Sequence, residues 1–281
     1  DHTIRLWDTA NCEERGALKG HTHAVRSVVF TPSGTRLISG SEDTSVRSWP
    51  VRGGRSHVVC KARRQIFDVA VSPDGKRIVY SDNDNYSCVH DLASGKQIAR
   101  CHHGAIAQSV MFDPQGERVV AVSRGVTIWE AKTGRVLLKF AAPDAEFCRA
   151  ALHPDAQRVL IGADNCASHL MANGEDRIFY PGGGAVAYSP DGRWIANGGM
   201  DGVLRVMNAE TTAEVARFHG HGRHVTSVQF SPDGKRLLSG SEDEYAIIWQ
   251  VPEAPFDRLQ IHALRNRRCQ GPVAYCPAGD Q

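Results

Sequence analysis

Residues 20–50 read GHTHAVRSVVFTPSGTRLISGSEDTSVRSWP, and residues 220–250 read GHGRHVTSVQFSPDGKRLLSGSEDEYAIIWQ. Both stretches open on Gly-His, carry Ser-Gly-Ser-Glu-Asp in the middle and hold Trp near the end. The intervals agree: His to Ser is 18, His to Asp is 22 and His to Trp is 28 in each. Self-similarity of this kind marks a repeat architecture and takes precedence over any single motif.

A shorter phrase carries the period along the chain. A β-rich run meets Pro, a small or acidic residue and Gly, as in Val28-Val29-Phe30-Thr31-Pro32-Ser33-Gly34 and Val69 to Gly75. It returns at Val110 to Gly116, Tyr188 to Gly192 and Phe230 to Gly234, and as Leu152 to Ala156 with Ala156 in place of Gly. The turn endings at 34, 75, 116, 156, 192 and 234 are 41, 41, 40, 36 and 42 apart. Pro presets φ, Asp bonds its own backbone and Gly accepts φ > 0, so the phrase is a hairpin turn. Flanks such as Arg36-Leu37-Ile38-Ser39 suit strands. A second turn at Asp43 or Asp243 leads to a third strand ending in Trp49 or Trp249. Gln97 to Cys101, Val136 to Phe140 and Glu214 to Phe218 complete three periods as fourth strands.

Four strands in about 41 residues make one small sheet that cannot cover both of its faces, so neighbours must stack. The expectation is an all-β, seven-bladed β-propeller of four-stranded antiparallel blades, imperfectly closed. The propeller spans 1–252: a partial blade in 1–20, then six repeats beginning near 21, 62, 103, 143, 179 and 221. In the segment 253–281, Arg265-Asn266-Arg267-Arg268 suggests a loop or a poorly packed helix. Residues 273–279 echo Val186 to Gly192 and suggest the first strand of a further blade.

The Gly-His and Trp-Asp ends resemble the WD40 repeat. The final dipeptide is complete only at Trp7-Asp8; elsewhere it reads Trp49-Pro50, Trp129-Glu130 and Trp249-Gln250. The resemblance implies a buried structural relay, Asp to His to Ser to Trp, in two sets: His21, Ser39, Asp43, Trp49 and His221, Ser239, Asp243, Trp249. An Asp stands six residues before the Trp position in every blade but one: Asp1, Asp43, Asp84, Asp164, Asp201 and Asp243, with Ser123 the exception. The middle blades lose the relay and must lean on apolar packing. The regular Ser-Pro-Asp-Gly turns also resemble bacterial WD40 repeat proteins, some of them fused to serine/threonine kinases.

In such proteins partners dock on loops, so matched loop positions form the candidate site: His23, Arg26, Glu42, Arg64, Phe67, Met200, Arg223 and Glu242. Arg and large apolar groups are common binding anchors. The expected partner is a protein or peptide. With 33 basic and 31 acidic residues and a net charge of +2, nothing marks a nucleic-acid groove or a membrane surface. The eight cysteines, Cys12, Cys60, Cys88, Cys101, Cys148, Cys166, Cys269 and Cys276, form no C-x-x-C and suit a reducing, cytoplasmic setting. No P-loop, dinucleotide-binding glycine pattern or zinc spacing occurs, so no catalytic residue, metal or cofactor is expected. A hydrolase triad needs one site with an oxyanion hole, not copies in separate blades. The overall expectation is a monomeric, non-catalytic interaction scaffold. The alternatives are the regulatory arm of a larger signalling enzyme and, less favoured, a propeller hydrolase. Asp1 in place of Met suggests that the natural start lies upstream.

Overall fold

The computed structural model describes residues 2–141, 149–163, 166–171, 177–181, 183–251 and 267–270. All regular structure among them is β. The opening pair is β1 (Ile4–Trp7) and β2 (Glu14–Leu18). The first four-stranded blade is β3 (Val25–Phe30), β4 (Arg36–Ser41), β5 (Ser45–Pro50) and β6 (His57–Lys61). The second is β7 (Ile66–Val71), β8 (Arg77–Asp82), β9 (Tyr86–Asp91) and β10 (Gln97–His102). The third is β11 (Ser109–Phe112), β12 (Arg118–Val122), β13 (Gly125–Glu130) and β14 (Val136–Ala141). The fourth is β15 (Arg149–Leu152), β16 (Arg158–Ala163), β17 (Cys166–Met171) and β18 (Arg177–Pro181). The fifth is β19 (Ala185–Tyr188), β20 (Trp194–Gly198), β21 (Leu204–Asn208) and β22 (Glu214–Phe218). The sixth is β23 (Val225–Phe230), β24 (Arg236–Ser241), β25 (Tyr245–Gln250) and β26 (Arg267–Gln270).

These are antiparallel meanders, the four-stranded blades of a β-propeller. The expected count of seven four-stranded blades is corrected. Among the described residues there are six, plus the two-stranded pair. The candidate strand 273–279 lies outside the described residues. The basic run is also corrected. Its Arg267 and Arg268 belong to β26, which pairs Tyr245↔Gln270 and Ile248↔Arg267 on the free edge of β25. Backbone pairing at an open sheet edge, rather than side-chain pattern, makes this strand.

The chain divides into two compact units. One runs mainly through Leu18–Ala145 and holds the first three blades; the other holds Arg5–Ala17 and Glu146–Tyr275. Within each, first strands pack side by side: β3 on β7 and β7 on β11, then β15 on β19 and β19 on β23.

The hairpins follow the turn chemistry. Ser72 Oγ donates to Asp74 and accepts the Arg77 N–H at 2.9 Å. Ser189 and Ser231 do the same with Asp191 and Asp233. The turn between third and fourth strands also recurs, with Cys12, Gly95, Gly134 and Thr212 at its positive-φ position. At Gly95 (φ +69) a methyl group would meet the Val59 carbonyl oxygen at 2.1 Å, and at Gly134 (φ +79) that of Arg100 at 2.4 Å. Each turn therefore lies against the fourth strand of the preceding blade. A non-Gly residue in the left-handed region costs about 1–2 kcal/mol before any clash. Gly95→Ala and Gly134→Ala should each lose about 2 kcal/mol or more in urea unfolding, whereas Thr212→Gly, which relieves the strain at φ +61 and gives part of it back in unfolded-chain entropy, should raise stability by up to about 1 kcal/mol.

Candidate functional site

Two sets of relay residues meet. In the first blade His21 Nδ1 lies 2.7 Å from Asp43 Oδ2 and Nε2 lies 2.7 Å from Ser39 Oγ, while Trp49 Nε1 donates to the same Oγ at 2.8 Å. In the sixth blade the corresponding distances for His221, Asp243, Ser239 and Trp249 are 2.9, 2.8 and 2.8 Å. A neutral ring protonated at Nδ1 accounts for every contact. It donates to Asp and accepts from the Ser hydroxyl, which in turn accepts from the indole.

Burial works to raise Asp43, but hydrogen bonds from Ser45, His21 and the Thr22 and Ser45 backbone outweigh it and hold the carboxyl well below the usual range. Burial lowers His21, only partly offset by its bond to Asp43. Asp243 is likewise held low: backbone N–H groups of Gly222 and Tyr245, then His221, overcome the cost of burial. Ser39 and Ser239 are fully buried, each already engaged by an indole N–H, so neither can reach a substrate. Their chemistry is to tie the loop, second strand and third strand of a blade together.

The middle blades replace this wiring. In the second, Ala62 stands at the His position, and Tyr80 and His90 stand for Ser and Trp, with rings 5.5 Å apart. Asp84 then pairs with Arg64 at 3.3 Å. In the third, Ala121 replaces Ser, so the fully buried Trp129 has no partner for Nε1 among the described residues. His103, at the relay His position, turns back to Ser87 at 2.6 Å. In the fifth, Asn197 and Met207 stand for Ser and Trp, and the buried Asn197 amide is unpartnered among the described residues. The fourth blade's Asp164 lies outside the described residues.

Five loop candidates fall in the first unit and three in the second. The loop 21–24 is fixed to the turn after β4: Ser41 Oγ donates to the His23 carbonyl, and the Glu42 N–H to that of Ala24. The next loop bridges two blades, with Ala62 N–H on Thr44 O and Asn83 N–H on Gln65 O. His23, Arg26, Glu42 and Arg64 therefore lie along one laced row of loops. Arg26 Nε donates to Glu42 at 2.7 Å, and the Arg64 side chain is 68% exposed. Arg26 and Phe67 share a feature that spacing alone does not reveal. Each is the extra residue of a β-bulge, between Val25 and Ser27 or between Ile66 and Asp68. A bulge re-aims its side chain; Arg26 is exposed and Phe67 half-buried. Thr226 is the matching bulge residue in the sixth blade and was missed by residue type. In the second unit Met200 is 55% exposed, and Gly202 of the same turn lies close against the His221 and Arg223 carbonyls. Glu242 lies 3.8 Å from His224.

Sequence reasoning also missed Asp68. One oxygen accepts from Ser27 Oγ at 2.7 Å and the other from the Val110 N–H at 2.9 Å, so a single carboxylate links three successive blades. The 41-residue spacing from Ser27 to Asp68 was the available signal.

A repeat propeller with two wired blades is the class this geometry defines. The WD domain, G-beta repeat family matches residues 12–50, 184–208 and 212–250. The chain is 26% identical over 254 residues to the serine-threonine kinase receptor-associated protein of Gallus gallus, covering 89% of this chain and 61% of that one. It is 25% identical to the guanine nucleotide-binding protein subunit beta of Nicotiana tabacum, covering 83% and 70%. It is 26% identical to the eukaryotic translation initiation factor 3 subunit I of Bos taurus, covering 88% and 86%. A match to apoptotic protease-activating factor 1 of Mus musculus covers only 22% of that protein. The chain thus spans from about a fifth to nearly nine tenths of these relatives, and about three fifths of the receptor-associated protein. The family match falls on the first, fifth and sixth blades, the two that carry complete relays among them. The expected bacterial character is not supported, since these relatives are eukaryotic. Turn geometry favours Pro-Asp-Gly wherever this hairpin is used, so the phrase carries no lineage.

Removing the Ser39 hydroxyl orphans two buried groups at about 1–3 kcal/mol each. Ser39→Ala should therefore lower stability by at least about 2 kcal/mol in urea unfolding, while Ala121→Ser, which offers Trp129 an acceptor, should raise it by about 1 kcal/mol. A pH prediction follows from His103. Burial, then the nearby Lys139 charge, push it down to about 4, against about 6.5 when unfolded. The unfolded chain binds the extra proton first, so stability is full above about pH 6.5 and declines toward pH 4. Thermal midpoints measured across that range should fall less steeply in His103→Gln.

Proposed function

We propose that this chain is a non-catalytic scaffold that holds protein or peptide partners on the loops joining its strands. The observation that carries the reading is the division of labour between side chains. The Ser-His-Asp sets that resemble catalytic machinery are buried and saturated. The matched loop positions instead present Arg26, Arg64, Arg223 and Met200 to solvent on backbones fixed by repeated hydrogen bonds. Rigid loops on a committed scaffold are where recognition residues collect. The relatives' names, a receptor-associated protein and two subunits, describe members of protein assemblies. By this reading the protein is a cytoplasmic monomer in its free form, without enzymatic activity of its own.

A second reading rests on the match that covers only a fifth of a much longer relative. Here the propeller is the regulatory part of a larger signalling protein. The loops remain the contact surface in both.

Arg64→Ala and Arg223→Ala, made separately, test the proposal. Quantitative affinity capture from cells should lose a defined subset of partners with each variant, and the fold, followed by circular dichroism, should be intact. Unchanged capture by both variants would contradict the assignment of the loops.

A further inference from the structure

The first strands of the first unit pack together, so its fourth strands β6, β10 and β14 form the opposite, outer edge. Among the described residues five large hydrophobic side chains are exposed, and four lie here: Val58 (38%), Ile98 (40%), Val136 (46%) and Leu137 (42%). Ile98 and Leu137 are the unpaired residues of matched bulges, between Gln97 and Ala99 and between Val136 and Leu138. The bulge turns each outward. At the equivalent bulge of the second unit, Val215 is instead partly buried against the core.

The exposed residues belong to one continuous strip. The turn holding Gly95 abuts β6 at Val59, and the turn holding Gly134 abuts β10 at Arg100. Lys96 directly follows Gly95 and Lys132 stands two residues before Gly134, so both belong to these turns. Strands β6, β10 and β14 contain no Asp or Glu and contribute Lys61, Arg100 and Lys139. The acids of the turns are occupied: Asp91 accepts from the Ser94 N–H and hydroxyl, and Glu130 from Thr133 and Arg135. Arg52, Arg55, Lys96 and Lys132 are exposed and form no ion pair among the described residues. Bulges and lysines commonly blunt a sheet edge against aggregation. That role does not call for a row of exposed Ile, Leu and Val repeated on three blades, because an exposed apolar patch works against it.

We propose that this outer strip is a docking surface for an acidic segment of a partner protein whose apolar residues cover Ile98 and Val136–Leu137 and whose carboxylates meet Lys96 and Lys132. Charge complementarity selects the partner's sign. Each exposed aliphatic group is still more than half covered, which leaves little to insert into a bilayer. The strip is separate from the loops, so either surface stands if the other fails.

The test is fluorescence anisotropy with a labelled synthetic peptide alternating Leu and Glu. Polyglutamate and a Leu–Lys peptide serve as controls, and phosphatidylcholine–phosphatidylserine vesicles as the lipid arm. The Leu–Glu peptide should bind saturably. Ile98→Asp with Leu137→Asp should weaken it about tenfold or more, as should Lys96→Glu with Lys132→Glu. The milder Ile98→Ser with Leu137→Ser serves if the acidic pair fails to fold. Arg64→Ala should leave binding unchanged. Equal binding of polyglutamate, wild-type affinity in the folded strip variants, or loss on Arg64→Ala would overturn the proposal. So would vesicle binding that depends on the strip when the peptide does not bind.

Discussion

A sheet of four strands, each four to six residues long, has two faces and too little width to bury either alone. The structure depends on the resulting constraint: the core lies between blades rather than within them. Ile38 and Val46 of the first blade pack with Ile66, Val69 and Ile78 of the second. Val79 and Val89 of the second then pack with Val110, Val119 and Trp129 of the third. In the other unit Leu160 meets Ile195 and Met207, and Leu204 and Phe218 meet Leu237 and Trp249. Each fully buried Ile or Leu contributes about 1.5–3 kcal/mol, so removing one blade would expose its neighbour as well.

Polar wiring is added to that packing and is unevenly distributed. The first and sixth blades are closed by complete relays; the others dispense with one or more members. Trp129 shows that the apolar part of the device survives without the polar part, since its ring remains fully buried although its N–H lacks an acceptor among the described residues. Asp68 fills a different need, fastening first strands of neighbouring blades through their backbone and hydroxyl groups. Because this chemistry is spent on holding blades together, the proposed recognition surfaces lie outside the core: the laced loops and the outer strip.

How much of this was legible depended on whether a feature repeats in residue type or only in position. The Pro-Asp-Gly turns and the relay spacing repeat in both, so the hairpins and the residues of each relay could be named in advance. Arg26 and Phe67 could be matched by spacing, but the bulge that aims them arises from register, which one strand's sequence does not encode. Asp68 was hidden because its counterparts are Ser27 and Ser109 rather than another Asp. Arg267–Gln270 carries no alternation of apolar and polar residues. Its strand exists because β25 offers an unpaired edge, a property of the assembled sheet. The relay's absence from the middle blades was visible; the ring pair of Tyr80 and His90 that takes its place was not.

Native-state hydrogen exchange on Ile66→Ala tests the shared-core account most directly. Ile66 lies on β7 but fills the seam against Ile38 and Val46 of the preceding blade. Amides of β4 and β5 should lose protection together with those of β7 and β8, and to a similar degree. Loss confined to the second blade, with the first blade's protection intact, would contradict the account and show that each sheet is stable by itself.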